Sequence, residues 1–331
     1  MIKKNLGKIY ISKQVSFLVN LIGYPWKGKG AILMYHRILP DKDMDNDLNL
    51  GMAVSSSNFY KHMQAIKEKY QLCTINELIE GSKNNKFMVA ITFDDGYKDN
   101  LIHALPILEE HKIPASIYIT TKFLEKKVNM WWYELKETID KETSLNFDFE
   151  NQNFNFKLKN NKQKNLAYKS LRKILINLNL DKQILLLEKI TKKKERKNFS
   201  DICLRPDDIE ILDNNPLITI GCHSHNHLNL KILSENEIIF EIKKSLDILQ
   251  NLLKHEISHF SYPYGGNGEV SNREYKIVKN LKFASAVTGK IFPIKKCNPY
   301  ELPRIYVGTN ISEKMLINHL SGFYNFINKF F

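Results

Sequence analysis

The strongest indication of the fold of this chain is the segment MVAITFDDG at residues 88–96. Its first six residues carry no charge and are typical of a buried strand, and the final glycine predicts a turn. Asp94 and Asp95 therefore follow the carboxyl end of a strand, and their side chains point in opposite directions. One carboxylate can hold a cation while the other reaches a water beside it, as metal-assisted hydrolysis requires. The alternative is an ordinary turn with an N-capping aspartate.

A second group of candidate ligands, HSHNH at residues 223–227, directly follows the apolar run at 216–221. A lone histidine is usually a packed or surface residue, but three of them after a strand indicate metal ligands. His223 and His227 are four residues apart and can face the same side, whereas His225 is expected to point elsewhere. With Asp95 they would form a two-histidine, one-carboxylate site, a type that does not by itself select the metal.

Three motifs together resemble those of the polysaccharide deacetylases, which form carbohydrate esterase family four. They are TFDDG at residues 92–96, HSHNH at 223–227 and YPYG at 262–265, in the order and approximate spacing of the family. The similarity extends from about residue 31 to residue 307. It implies a distorted (β/α)7-type barrel and a metal-dependent hydrolase that removes N-acetyl groups.

The resemblance also implies a role for each matching residue. Asp94 takes the position of the general base, and the backbone N–H of Tyr264, with Pro263 before it, takes that of the oxyanion support. The metal ligands that the resemblance implies are Asp95, His223 and His227. The cofactor is then one divalent metal ion, and we expect Zn²⁺.

The chain departs from the family at a position next to the proposed base. Many members carry an arginine two residues before the proline of the third motif, where this chain has Ser261. Arg37 and Arg304 are the candidates to replace that arginine, and the sequence does not choose between them. Arg304 is also a candidate substrate contact.

The general acid is the second departure. Many members end with a Leu-x-His motif whose histidine is the acid, and residues 314–331 contain no such pattern. Near the N-terminus, however, the apolar run at 31–35 ends in His36. This order resembles that of the poly-N-acetylglucosamine deacetylases, in which the acid histidine comes first. We therefore expect His36 to be the acid; the alternative is a strand-end histidine that only packs or forms a hydrogen bond.

Apolar strand-like runs alternate with amphipathic helices along most of the chain, which predicts an α/β fold with a mostly parallel sheet. The candidate catalytic residues follow separate strands, at the carboxyl ends where α/β barrels carry their active sites. Pro106 predicts a kink or a start in the helix at 101–111. Strands are predicted at 31–35, 87–93, 115–120, 217–221, 259–262 and 283–287, and further helices at 59–69, 235–254 and 273–280.

The deacetylase domain is predicted at residues 29–310, after an amphipathic segment at 1–28 and before a helical tail at 311–331. The alternation stops at about 121–207, which we interpret as a lysine-rich helical insertion between two βα units. Within it, residues 151–165 are polar and predicted to be irregular, and 166–197 are predicted to be helical. Trp131 and Trp132 are candidate substrate contacts that could stack on sugar rings, although such clusters more often anchor an insertion to the core.

Charge and cysteine content limit the partners. The 331 residues include 49 basic and 36 acidic ones, a net charge of +13. No nucleic-acid recognition motif accompanies this charge, so no nucleic-acid partner is expected. An anionic membrane surface fits better, because lysines precede an apolar run at 15–23 that is too short to span a bilayer but suits an interfacial helix. The alternative for this run is a helix that packs on the domain. The four scattered cysteines form no C-x-x-C pair, which argues against a disulfide framework or a thiolate zinc site.

The sequence therefore predicts a metal-dependent N-deacetylase, cytoplasmic or peripheral to the membrane, with secretion as the alternative location. Its expected substrate is an N-acetylated amino sugar in a surface polysaccharide, an oligosaccharide or a lipid-linked glycan. Two other functions stay open. One is a catalytically inactive carbohydrate-binding member of the same fold, for which Ser261 is the warning sign. The other is a metal phosphoesterase, although no second set of ligands for a two-metal site is evident.

Overall fold

The computed structural model describes residues 30–45, 51–81, 86–291, 294 and 298–321. The predicted segment 1–28, Cys297 and the end of the predicted tail lie outside the described residues. The strands are β1 (Gly30–Tyr35), β2 (Arg37–Leu39), β3 (Ala53–Ser55), β4 (Gln71–Leu72), β5 (Met88–Phe93), β6 (Ala115–Ile119), β7 (Ser144–Phe149), β8 (Gln152–Lys157), β9 (Ile218–Cys222), β10 (His259–Ser261), β11 (Ser285–Val287) and β12 (Ile305–Tyr306).

The helices cover the outside of the main sheet and build most of the insertion. They are α1 (Ser56–Lys69), α2 (Ile75–Glu80), α3 (Leu105–His111), α4 (Trp131–Lys141), α5 (Asn161–Leu175), α6 (Leu180–Thr191), α7 (Pro206–Asp213), α8 (Glu235–Leu253), α9 (Asn272–Asn280) and α10 (Glu313–Leu320). None of the described helices has the length and apolarity needed to cross a membrane.

Eight parallel strands form the main sheet, in the order β11-β10-β9-β6-β5-β1-β12, with β4 paired to the start of β5. Residues 302–307 bring its two edges together. Leu302 N donates to Ala286 O at 3.0 Å beside β11, and Val307 N donates to Met34 O at 2.9 Å in β1. The sheet therefore curls into a barrel, and the predicted α/β barrel is confirmed.

The predicted strands of the barrel form because they are largely apolar and buried. All six residues of β1 and all six of β5 are buried, as expected for parallel strands covered on both faces. Helix α1 begins earlier than predicted because the Ser55 hydroxyl accepts a hydrogen bond from Asn58 N and caps the helix. Pro106 lies in the first turn of α3, directly after a π-helical turn at Asn100–Ala104.

The insertion leaves the barrel after β6 and returns at β9, two strands that pair directly with each other. It has its own apolar core, to which α4, α5 and α6 contribute. The prediction that residues 151–165 are irregular is wrong, because β7 and β8 form an antiparallel hairpin there and α5 begins at Asn161. In the structure, alternate residues of β7 are buried, as in a strand with one face on a core. The many asparagines of the hairpin make this period-two pattern hard to detect in the sequence.

Candidate active site

The predicted site residues meet at one end of the barrel. His36 follows β1, Asp94 and Asp95 follow β5, and His223 follows β9. Because these strands are parallel and belong to one sheet, their carboxyl ends lie at the same edge. The four side chains line a single cavity of about 280 Å³ together with His227. The barrel therefore brings together five side chains that are spread over almost two hundred residues of sequence.

Asp95, His223 and His227 form the candidate metal centre. Their ligand atoms all lie within 4.8 Å of one another, and all three residues are buried. Asp95 Oδ1 lies 3.2 Å from His227 Nε2 and 3.5 Å from His223 Nε2, and has no hydrogen-bond donor within the described residues. An unsatisfied buried carboxylate oxygen between two imidazoles fits a divalent cation, and this donor set is one that zinc accepts.

Backbone contacts orient one of these histidines. His223 Nδ1 lies 2.7 Å from Ser261 O, a carbonyl that can only accept, so Nδ1 carries the proton and Nε2 is free to bind a metal. His225 points elsewhere, as expected: its Nδ1 lies 2.9 Å from Thr121 Oγ1. Cys222 is turned into the core, where its thiol donates to Ser245 Oγ at 3.3 Å.

Several residues of the site have a left-handed backbone. Asp95 has φ 76°, His227 φ 55° and Tyr264 φ 62°. Residues other than glycine rarely adopt this backbone conformation. It costs about 1–3 kcal/mol per residue and persists only where the surrounding structure holds it in place. Such strain is typical of positions where function determines the direction of a side chain, and here it occurs at two candidate ligands and at the oxyanion position.

Asp94 is held by Arg304, which answers the question raised by Ser261. The guanidinium donates to both carboxylate oxygens, at 2.7 and 2.6 Å, and to Ser261 Oγ at 2.9 Å. Burial raises the pKa of Asp94, but the charges of Arg304 and His223 outweigh this effect and bring that pKa below its usual value. The carboxylate is therefore ionised and fixed in orientation, as a general base must be.

Two expectations for the arginines are corrected. Arg304 is only 2% exposed and is not among the residues that line the cavity, a position that fits orientation of Asp94 and not contact with a substrate. Arg37 is not the replacement, because its Nε donates to Asp99 at 2.8 Å. A further hydrogen bond from Arg37 to Tyr133 Oη, at 3.3 Å, connects the barrel to helix α4 of the insertion.

His36 lies beside the two aspartates at the cavity. It borders the cavity with Asp94 and Asp95, and its Nδ1 has no hydrogen-bond partner within the described part of the chain. Asn100 Nδ2 donates to His36 O at 2.8 Å and holds the backbone in place. Burial lowers the pKa of His36, while the two aspartates oppose that effect. His36 thus lines the site with an unpaired Nδ1, and its catalytic role stays a prediction.

The tryptophans anchor the insertion and also line the cavity, so their contact with substrate stays a prediction. Trp131 and Trp132 are 6% and 7% exposed and belong to the insertion core, yet both reach the cavity wall. The Trp132 ring lies 5.4 Å from that of His227, centroid to centroid. Tyr264 also lines the cavity, whereas Pro263 is buried beneath it, with its carbonyl accepting a hydrogen bond from Gly265 N at 2.7 Å.

Three further cavity residues with polar side chains escaped the sequence analysis: Tyr168, Arg172 and Tyr306. Tyr168 and Arg172 are four residues apart on α5 and share one face of that helix. The sequence predicts such a face, but no local signal indicates that it meets the active site. Tyr306 ends β12, where its ring lies 5.8 Å from that of His36.

Comparison with known proteins places this site in a family. The sequence pattern of the polysaccharide deacetylases matches residues 81–285, which is more than half of the chain. YxkH of Bacillus subtilis, a protein assigned to the same family, is 33% identical over 114 residues. That match spans 33% of this chain and 38% of YxkH.

Solved structures share the fold. The deacetylase PplD of Streptococcus pyogenes, determined in complex with acetate, has a TM-score of 0.58 and 18% identity over 88% of this chain and 97% of PplD. IcaB of Ammonifex degensii has a TM-score of 0.56 and 15% identity over 88% of this chain and 97% of IcaB. Since the matched region contains the aspartate pair, both histidine ligand candidates and the YPYG loop, the chain belongs to the polysaccharide deacetylase family and so to the hydrolases.

Proposed function

We propose that this protein is a metal-dependent N-deacetylase that hydrolyses the N-acetyl group of an amino sugar within a glycan. The observation that carries the proposal is that Asp94 binds Arg304 through both carboxylate oxygens and lines the same cavity as Asp95, His223 and His227. A base and a metal centre in one cavity are the two parts that metal-assisted amide hydrolysis needs. The glycan could be a polysaccharide, an oligosaccharide or a lipid-linked precursor.

Asp95, His223 and His227 would hold the ion. When bound, a divalent metal such as zinc supplies Lewis-acid polarisation of the acetamide carbonyl and makes a nearby water more acidic. The fit rests on the unsatisfied Asp95 oxygen and on the free Nε2 of His223.

The chain's own residues then move protons and hold charge. Asp94 takes a proton from the attacking water, whose oxygen bonds to the acetyl carbon. The Tyr264 N–H donates to the oxyanion that develops, the kind of stabilisation that usually contributes most to such reactions. His36 gives a proton to the departing nitrogen as the carbon–nitrogen bond breaks, which yields acetate and a free amine.

The catalytically inactive alternative loses much of its support. Ser261 was its warning sign, but Arg304 supplies a guanidinium to Asp94 from the segment directly before β12. The phosphoesterase alternative gains no support. Within the described residues one group of side chains has the spacing of a metal site, and a two-metal site would need a second group.

Acetate release from chitooligosaccharides and poly-N-acetylglucosamine, with and without a chelator, tests the proposal. We expect release that the chelator abolishes and that Asp94→Asn lowers by about 10²–10⁴-fold while metal content is kept. A protein that binds metal but releases no acetate from any acetylated glycan would instead be the inactive sugar-binding member.

Two histidine variants test the metal centre separately. His227→Ala should lower metal content because one of three protein ligands is lost. His225→Ala is the matched control, since its side chain bonds to Thr121 and does not line the cavity. Unchanged metal stoichiometry in purified His227→Ala would remove His227 from the ligand set.

A further inference from the structure

The insertion contributes a permanent positive charge to the wall of the active-site cavity. Arg172 on α5 lines the cavity that also holds Asp94 and Asp95, and the residue as a whole is exposed. Its guanidinium therefore lies at the rim, where it can meet a substrate before the acetyl group reaches the metal centre. Tyr168, one turn earlier on the same helix, lines the cavity beside it.

The charge of Arg172 is not neutralised within the described part of the chain. Neither carboxylate of the cavity pairs with Arg172: Asp94 binds Arg304, and Asp95 lies at the candidate metal centre between His223 and His227. Arg172 forms no ion pair with any described carboxylate, whereas other arginines near the site, Arg37 and Arg304, each bind an aspartate. Its guanidinium instead lies 5.8 Å from the centroid of the Tyr264 ring.

This position relates Arg172 to the reacting group. The Tyr264 ring packs 4.7 Å from that of His227, centroid to centroid, and the Tyr264 backbone is the proposed oxyanion donor. A group held by Arg172 would therefore lie on the rim side of Tyr264, while the acetamide lies on its metal side. The guanidinium is planar and can donate two parallel hydrogen bonds, a geometry suited to carboxylate and phosphate groups.

We propose that Arg172 is a specificity-determining residue, which selects glycans that carry an anionic group, a carboxylate or a phosphate, next to the N-acetylated sugar. The inference rests on the proposed deacetylase function and narrows its substrate class. An arginine that is merely solvated on the surface would explain the exposure, but it would not explain a place in the cavity wall beside Tyr264.

Three probes of different charge test the inference. They are chitotetraose, which is neutral, a hyaluronan tetrasaccharide, which carries carboxylates, and N-acetylglucosamine 1-phosphate. Binding is measured on the full chain without added metal through tryptophan fluorescence, since Trp131 and Trp132 line the cavity. Acetate release is then measured with metal present. Arg172→Gln and Arg172→Lys are compared with Lys173→Gln, which removes a neighbouring exposed charge outside the cavity.

Arg172→Gln should weaken binding of at least one anionic probe about fivefold, as expected for a charge pair partly in water. It should change binding of chitotetraose less than about twofold. The affinity of Arg172→Lys for the anionic probe should lie between those of the parent and of Arg172→Gln. Lys173→Gln should bind all three probes as the parent does. The two anionic probes show whether carboxylate or phosphate is preferred.

Three outcomes would overturn the inference: an equal loss for all three probes, an equal loss in Lys173→Gln, or no dependence of binding on the charge of the probe. Failure of the deacetylase proposal looks different. In that case the parent would bind the anionic probe in an Arg172-dependent manner, yet release acetate from none of the three.

Discussion

Ser261 and Arg304 together explain how this chain orients its proposed base. The Ser261 side chain is small and leaves space beside Asp94, and the Arg304 guanidinium fills that space from the segment that closes the barrel. Arg304 also donates to Thr288 O at 3.0 Å and to Thr92 Oγ1 at 3.2 Å, so all five N–H groups of its guanidinium are used. The arginine of the family motif is thus replaced in function by one 43 positions later in the chain.

Replacing Arg304 should affect both folding and the pH dependence of catalysis. In Arg304→Met, Asp94 keeps its burial but loses the charge that lowers its pKa, so that pKa should rise. A base must be deprotonated, hence the acid limb of kcat/KM should move to higher pH. The uncompensated buried carboxylate should also reduce the free energy of unfolding by roughly 3–5 kcal/mol. Urea unfolding and a pH profile of acetate release measure the two effects.

Arg37→Met is the matched control, because it breaks a second buried arginine–aspartate pair, with Asp99. It should destabilise the fold to a comparable degree and leave the acid limb where it is. An acid limb that shifts equally in both variants would show that Arg304 acts on stability alone.

His36 gives a second prediction at this scale. His36→Ala should retain metal, because the three ligand candidates are elsewhere, and should lose about 10²–10⁴-fold in turnover as the leaving nitrogen loses its proton donor. His255→Ala, at an exposed position, should match the parent in both measurements. Parent-level acetate release by His36→Ala would leave His36 as a strand-end histidine that only packs.

At the scale of elements, the loops after the strands determine where the site residues point. The loop after β10 turns at Tyr264 and Gly265, which have φ 62° and 57°. Gly265 also packs so closely that a Cβ would lie 2.6 Å from Gly289 N. The loop can therefore present the Tyr264 N–H to the cavity only if residue 265 has no side chain.

Gly265→Ala should consequently displace Tyr264 and destabilise the protein by about 1–3 kcal/mol. We expect a lower melting temperature and a lower kcat with metal content unchanged. Gly268→Ala in the same loop is the control, because a Cβ there meets no atom within 4 Å. If the two variants have the same kcat and stability, the geometry of the Tyr264 turn is not required for turnover.

At the scale of the whole molecule, buried neutral histidines should make the fold sensitive to acid. Burial lowers the pKa of His62 to about 4. The unfolded chain therefore binds this proton more readily, and stability is present above about pH 6.5 and lost as pH falls towards 4. At pH 5 the loss should be about 2 kcal/mol. His62→Gln, which can keep the contacts to Tyr35 and Ile311, should lose less stability between pH 7.5 and pH 5 in urea unfolding. An identical pH dependence in the variant and the parent would rule out His62 as the source.

The net charge of +13 leads to a prediction about location. The protein should sediment with vesicles that contain anionic lipid and dissociate as salt rises, because exposed charges are screened over about 10 Å at 0.1 M. Removal of residues 1–24 should weaken this binding without abolishing acetate release. Equal recovery on neutral and anionic vesicles would contradict the electrostatic explanation.

Much of the barrel could be predicted because its signals are local. Buried parallel strands need continuous apolar runs, and β5 and β9 have them. The aspartate pair and the histidine cluster follow those runs directly, so the sequence placed them at strand ends. The hairpin of β7 and β8 was missed because its polar positions are largely asparagines, which are more typical of loops than of strands. Its two-residue turn, Glu150 and Asn151, lacks the usual glycine although both residues have positive φ.

By itself, the sequence determined the fold class and the candidate metal ligands of this polysaccharide deacetylase, since strand periodicity and motif spacing are properties of short segments. Only the tertiary structure decided that Arg304, not Arg37, holds Asp94, because that contact joins residues 210 positions apart. It likewise brought Arg172 of the insertion to the cavity. Contacts between residues so distant in sequence depend on how the barrel closes and how the insertion packs, and no short sequence pattern predicts either.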